Sequence, residues 1–127
     1  MGRTVKGSAA VEELKGQHRN YLFEDDMLEL RPTCENCNKP LPPDSLEARI
    51  CTYECTFCAT CVEVLDNVCP NCGGGFVPRP IRPSYNWNDD NYLGQDPAST
   101  KVRHRPVDLT FHAKFVARIK SIPPEKR

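Results

Sequence analysis

Residues 34–72 read CENCNKPLPPDSLEARICTYECTFCATCVEVLDNVCPNC, and all eight cysteines of the 127-residue chain lie inside this stretch. They fall as Cys34-x2-Cys37, thirteen residues, Cys51-x3-Cys55-x2-Cys58-x2-Cys61, seven residues, Cys69-x2-Cys72. A C-x2-C pair lets two thiolates from one tight turn reach the same ion, and two such pairs complete a tetrahedral site. Four pairs therefore imply two zinc ions. The stretch is too short to be held by apolar burial alone, since domains below about 40 residues usually need metals or disulfides. Structural zinc supplies roughly 10–16 kcal/mol per site in small peptides, as folding free energy, so the segment is expected to be unfolded without metal.

Disulfides are the competing use of eight cysteines. The opening MGRTVKGSAAVEELKGQ has no apolar h-region, and no later stretch is long enough to span a membrane. A reducing cytoplasm is therefore expected, where such spacings are read as metal sites.

Net charge is zero but unevenly spread. Residues 1–26 carry 4 basic and 5 acidic groups, residues 27–77 carry 3 and 7, and residues 78–127 carry 10 and 5. An acidic module with a basic tail is a poor match to a nucleic-acid-binding zinc domain, whose basic groups should line the folded face.

Working outward, LELRPT at 28–33 is a short extended lead-in, because Arg31 precedes Pro32 and is pushed away from helix. Residues 38–50 form a Pro-rich loop. ICTYECTF at 50–57 alternates apolar and polar residues and predicts a short hairpin. ATCVEVLDN at 59–67 predicts a short helix, with Thr60 as N-cap and Val62 and Leu65 on one face. In CPNCGGGF, Pro70 fixes the turn while Gly73 to Gly75 allow φ > 0. CENCN is a milder version, with Asn38 in the corresponding place. Residues 78–106 are a Pro/Asn-rich linker. A helix follows from about Asp108, as cap, to Ser121, with Leu109, His112, Val116 and Ile119 on one face and Phe115 and Ile122 at its border. Pro123-Pro124 ends it. The expected organisation is a weakly ordered extension at 1–26, a two-zinc domain at 28–77, the linker at 78–106, an amphipathic helix within 107–122 and a tail at 123–127. Residues 1–26 hold at most one apolar stripe (Val11, Leu14, Leu22), and MLELRPTCENC opens a new style of sequence, so Met27 is an expected alternative native start.

Two pairings of the cysteines are possible. In the interleaved one, Cys34, Cys37, Cys58 and Cys61 hold one ion and Cys51, Cys55, Cys69 and Cys72 the other. In the sequential one, the first four hold one ion and the last four the other. The seven-residue gap before Cys69 is tight for a stand-alone ribbon but spans one short helix, and interleaving cross-links distant turns in place of a core. Interleaving is favoured. The fold expected is a small metal-stabilised α+β unit: a cross-brace around two zinc ions with a short β-hairpin, one short helix and an added C-terminal helix.

The order C-x2-C, x13, C-x3-C-x2-C-x2-C, x7, C-Pro-x-C resembles a RING finger of the all-cysteine type, with Cys55 where most RING fingers have histidine. That resemblance would imply ubiquitin-ligase activity by docking a conjugating enzyme. The docking positions depart from the pattern: Asn36 stands where an aliphatic residue is usual, Leu65 where many ligases have tryptophan, and Gly73 where a polar linchpin often follows the last cysteine. A closer resemblance is to the small bacterial proteins of domain of unknown function 1272. It is carried by LELRP, the PPDS loop, the RIC…ECTFCATCV block and CPNCGG, from Leu28 to Phe76. It implies a bacterial source without a ubiquitin system, and no established activity.

Other readings use the same residues. Cys55, Cys58 and Cys61 form C-x2-C-x2-C, and Cys69-Pro70 has the Cys-Pro of bacterial ferredoxins, but the x3 step to a fourth cysteine is missing. Catalytic zinc keeps an open position with three protein ligands, whereas eight cysteines close two sites and leave no metal-bound water to activate. No nucleophile–base pair or phosphate loop argues for an enzyme. His18, His104 and His112 lie outside the cluster, and His112 reads as a packed ring more readily than a ligand. Tyr85, Trp87 and Tyr92 interleave with Arg79 and Arg82 and could stack on bases, but Asp89, Asp90 and Asp96 would repel phosphate. The aromatics are expected to dock on the module or a partner. Lys101, Arg103 and Arg105 form a basic run, either solvated or guiding an acidic partner. The terminal helix can fold back on the module or bind another chain. Together these point to a cytoplasmic zinc-binding protein whose module serves protein–protein interaction.

Overall fold

A computed structural model describes residues 27–127. The expectations for residues 1–26, and for Met27 as a start, lie outside the described residues. The element order is β1 (Ala48–Ile50), β2 (Thr56–Cys58), α1 (Ala59–Val64), β3 (Val77–Pro78) and α2 (Leu109–Ile119), followed by a 3-10 turn at Pro124–Lys126. The strands form one antiparallel sheet in the order β2-β1-β3. Ala48 pairs with Cys58, Arg49 with Phe57 and Ile50 with Thr56. Across the other edge, Arg49 faces Pro78 and Ile50 faces Val77.

The hairpin is present, but offset from the alternating stretch 50–57. Residues 51–55 are its turn, closed by Cys51 N–H to the Cys55 carbonyl (3.3 Å) and Glu54 N–H to the Cys51 carbonyl (3.0 Å). Glu54 adopts φ 66° there, so the loop expected at 38–50 yields its last three residues to β1.

Helix α1 also differs from the expectation. It starts at Ala59, and its N-cap is Cys58, without a side-chain cap bond, rather than Thr60. β2 runs straight into the helix, so strand pairing fixes where it begins. It ends at Val64 rather than residue 67, because Asp66 and Asn67 both turn left-handed (φ 55° and 57°). Asn67 N–H then reaches back to the Val62 carbonyl at 3.0 Å, as in a Schellman-type stop.

The core is small. Leu30, Leu41, Phe57, Leu65 and Val68 are its largest fully buried aliphatic and aromatic side chains, and Cys34 and Cys69 are buried too. Phe76 closes edge-on over Phe57, with ring centroids 5.3 Å apart.

Residues 79–108 contain no helix or strand, yet they are bonded down at several points. Arg79 is buried and donates to the carbonyls of Arg31 (2.8 Å), Leu41 (3.2 Å) and Pro42 (2.9 Å). Arg82 donates to the carbonyls of Leu28 and Asp96, both at 2.8 Å. Ser99 N–H reaches the Leu30 carbonyl at 3.0 Å and Arg105 N–H the Glu35 carbonyl at 2.7 Å. Burial pushes the Arg79 pKa down, but a guanidinium keeps its charge in proteins. A planar fork reaches carbonyls from two segments in fixed geometry, whereas an ammonium concentrates its donors at one point. Arg79→Lys should therefore destabilise the fold by about 1–3 kcal/mol, the cost of a buried polar group losing its partner, measurable by denaturant titration.

Tyr85 and Trp87 do not dock on the module. They are 69% and 78% exposed and pack against each other at 5.9 Å.

Helix α2 lies where expected. Asp108 caps it, its carboxylate accepting from Phe111 N–H at 3.1 Å. His112 and Val116 are buried, Phe115 and Ile119 are half-buried, and Leu109, expected on the same face, is 49% exposed. His112 Nε2 lies 3.2 Å from the Leu65 carbonyl, so it is a packed ring. Among the described residues, no helix is long and apolar enough to cross a membrane.

Candidate metal centre

Two of the C-x2-C pairs are built by one repeated turn. Asn38 N–H bonds to the Cys34 carbonyl (2.9 Å), and Cys34 N–H to the Lys39 carbonyl (2.9 Å). At the other end of the module, Gly73 N–H bonds to the Cys69 carbonyl (2.8 Å), and Cys69 N–H to the Gly74 carbonyl (2.8 Å). The residue just after each second cysteine is left-handed, Asn38 at φ 64° and Gly73 at φ 81°, the conformation that asparagine and glycine accept most readily. Helix α2 also packs closely over Gly73, so a side chain there would have to push its neighbours aside by a few tenths of an ångström. A Cβ there would lie 3.2 Å from Phe115 Cζ and 3.3 Å from Ile119 Cδ1.

These turns and the hairpin gather the thiols into two groups. The sulfurs of Cys34, Cys37, Cys58 and Cys61 all lie within 4.8 Å of one another, as do those of Cys51, Cys69 and Cys72. The first group has four cysteines and the second three, and the two alternate along the chain. Cys55 lies outside the mutual distance of the second group. It is bound by Asn71 Nδ2, which donates to its sulfur at 3.3 Å.

All eight cysteines are free of disulfides. The Cys37 and Cys58 sulfurs are 3.8 Å apart, far beyond a bonded pair at about 2.05 Å. That separation matches the edge of a tetrahedron with metal–sulfur bonds of about 2.3 Å, which is about 3.8 Å. The donor chemistry fits as well. N–H groups point at sulfur from Cys37 to Cys34 (3.5 Å), Tyr53 to Cys51 (3.3 Å), Asn71 to Cys69 (3.4 Å) and Gly74 to Cys72 (3.3 Å). Asn36 Nδ2 donates to Cys61 Sγ at 3.3 Å. Such donors favour a charged sulfur. At Cys34, burial pushes the pKa up, but backbone donors outweigh it and the net direction is down. Burial pushes the Cys37, Cys55, Cys61 and Cys69 thiols up. Thiolates brought this close would repel one another without a cation among them, and either group could hold a metal ion.

The profile of the family described as protein of unknown function (DUF1272) matches residues 27–82. An uncharacterised protein of Rhizobium meliloti (strain 1021) is 56% identical over 75 residues, 58% of this chain and 82% of that protein. The chain belongs to the DUF1272 family. No solved structure matches it.

Within this DUF1272 chain, the residues that tie the two thiol groups together were not singled out by spacing. Glu35, buried inside the first C-x2-C, accepts from Arg31 Nη1 (3.0 Å) and Thr56 N–H (3.1 Å) through one oxygen, and from Asn71 Nδ2 (3.3 Å) through the other. Its carboxylate thus joins the first turn, β2 and the last turn. Asn36 does the same for the tail, its Oδ1 accepting from Val107 N–H at 2.8 Å. A buried acid between two cysteines is visible in the sequence as ENC, but nothing in the spacing says what it bonds to.

Proposed function

We propose that this DUF1272 protein is a RING-like, two-zinc cross-brace that serves as a protein-interaction module, with zinc in a structural role. Cys34, Cys37, Cys58 and Cys61 would hold one ion, and Cys51, Cys55, Cys69 and Cys72 the other. The observation that carries this reading is the alternation of the two thiol groups along the chain. Bound zinc would supply cross-links between turns that share little apolar core. Closed all-sulfur sites leave no position for substrate, so the chain's own surface is what acts.

That surface argues against ligase chemistry. In the RING resemblance, a conjugating enzyme would meet Asn36 and Leu65. Here Asn36 is bonded to Val107 and the Leu65 carbonyl to His112, both from the C-terminal tail. A charged conjugating enzyme should therefore not be discharged by the purified chain, and discharge would restore the ligase reading.

Metal analysis of the purified chain should give about two zinc per chain and no visible colour. Iron with a brown chromophore would make an electron carrier the leading reading. Cys37→Ser and Cys58→Ser should each cost the same single ion, and Cys55→Ser and Cys69→Ser the other, read as loss of about one metal per chain. The interaction reading itself expects a protein from its own cytoplasm to be retained by the zinc-loaded chain and released on chelation. Retention of nucleic acid alone would count against it.

A further inference from the structure

Every residue from 83 to 91 is exposed, yet the segment is built as a closed loop. Leu93 N–H bonds to the Pro83 carbonyl at 2.9 Å. Asn86 and Asp90 bond reciprocally, Asn86 Nδ2 donating to Asp90 Oδ1 (2.8 Å) and Asp90 N–H to Asn86 Oδ1 (2.9 Å). Asp89 and Asp90 are both left-handed (φ 55° and 66°), a conformation that aspartate tolerates better than most residues. A Cβ at Gly94 would fall 2.5 Å from the Tyr92 ring, so this third aromatic folds back on the loop's own backbone. Tyr85 and Trp87 are the pair that the loop holds out in water.

Tryptophan and tyrosine offer large, stiff contact area at low entropic cost, and they dominate binding hot spots. The charge around this pair has one sign. From residue 83 to residue 100 there are three aspartates and no lysine, arginine or histidine. The Asp89 carboxylate makes no hydrogen bond or ion pair among the described residues. Asp96 is set apart, at a cleft under the loop's base with Arg82 and Lys101. Arg82 is committed to the carbonyls of Leu28 and Asp96, and the buried Arg79 to those of Arg31, Leu41 and Pro42. The two arginines that could have met a phosphate chain beside the aromatics are therefore held by the fold. What remains beside the ring pair is negative.

We propose that the Tyr85–Trp87 loop takes a basic segment of another protein, with an arginine or lysine side chain laid on the exposed rings and its charge met by Asp89 and Asp90. The assignment rests on the interaction-module reading and names its partner's chemistry. A cation over an aromatic face is attracted by the ring, most strongly over tryptophan, and a guanidinium plane can also stack on it. The carboxylates select the sign of the partner's charge and speed the encounter.

Trp87 is the chain's one tryptophan, so its emission reports on the loop directly. The test titrates the zinc-loaded full chain with an acetylated, amidated peptide of alternating Arg and Ser, followed by Trp87 emission and by amide shifts of the isotope-labelled protein. Controls carry Gln or Glu in place of every Arg. Emission should change saturably, with amide shifts at 84–91, and the Gln and Glu peptides should each bind about tenfold more weakly or worse. Trp87→Ala, read by the amide shifts, should weaken binding of the Arg peptide about tenfold. Asp89→Asn keeps a residue that accepts the left-handed turn and should weaken it about two- to fivefold, the worth of an exposed ion pair. Both side chains are exposed, so the shift dispersion of the free variants outside the loop should be unchanged. Equal binding of the Gln peptide, or no saturable response to the Arg peptide, would overturn the proposal. So would concentration-dependent shifts at 84–91 without peptide, which would mark a second copy as the occupant. Peptide-induced shifts confined to 101–115 would overturn the loop but keep the interaction reading. A response of Trp87 to single-stranded DNA, with none to the Arg peptide, would overturn both.

Discussion

Chelation should unfold the module. With metal removed, the dispersed amide signals of β1, β2, β3 and α1 should collapse, and returning zinc should restore them. The size of the effect follows from how little else holds this part of the chain. Its strands are three, three and two residues long and α1 has six residues. Its wholly buried aliphatic and aromatic side chains are few. Structural zinc contributes roughly 10–16 kcal/mol per site, more than the roughly 5–15 kcal/mol total stability of an ordinary domain. On the proposed two-zinc reading, loss of either ion should therefore be severe, and loss of both complete. Acid should act in the same direction. Burial raises the metal-free thiols of Cys61 and Cys69, so metal must displace protons to bind, and affinity falls as pH falls. Retained dispersion after chelation would mean that the sheet and core suffice without metal.

Replacing Glu35 by alanine should destabilise the zinc-loaded chain by about 3–5 kcal/mol, the usual cost of breaking a buried ion pair from one side. Arg31 would keep only its ion pair with the less buried Glu29 (3.2 Å), Thr56 N–H and Asn71 Nδ2 would lose their acceptor, and the first and last cysteine turns would no longer be coupled. Glu35→Gln separates charge from connectivity. Its amide oxygen can still accept from Arg31 and Thr56, but its NH2 would face Asn71 Nδ2, donor against donor. If Asn71 rotates to accept, it withdraws its hydrogen bond from Cys55 Sγ. An intermediate loss, about 1–3 kcal/mol, with weaker metal retention at the Cys51, Cys69 and Cys72 group, is expected in denaturant and chelator titrations. A near-neutral Glu35→Ala would show that the carboxylate is not the link between the turns.

What could be read from the sequence was what short-range geometry dictates. The two C-x2-C turns, the left-handed positions Asn38 and Gly73, the hairpin's existence and the Asp108 cap all follow from a few adjacent residues. The interleaved pairing was argued from a gap length and remains a proposal. The starting point of α1 was not legible, because Cys58 serves strand and helix at once and leaves Thr60 nothing to cap. The linker was legible only as composition. Residues 79–108 look unanchored because apolar residues are sparse, yet Arg79 and Arg82 hold them by donating to carbonyls, and a carbonyl has no residue type for a pattern to show. The position of Cys55 was hidden for a similar reason. The spacing makes it an expected fourth ligand, while the hydrogen bond its sulfur accepts from the Asn71 amide, sixteen residues away, cannot be read from the spacing.

The most direct test of the interleaved two-metal module is NMR of the cadmium-substituted protein, correlating each metal nucleus with cysteine β protons. Two resonances are expected, one coupled to Cys34, Cys37, Cys58 and Cys61, the other to Cys51, Cys55, Cys69 and Cys72. A single resonance, or one coupled to both Cys34 and Cys51, would contradict it.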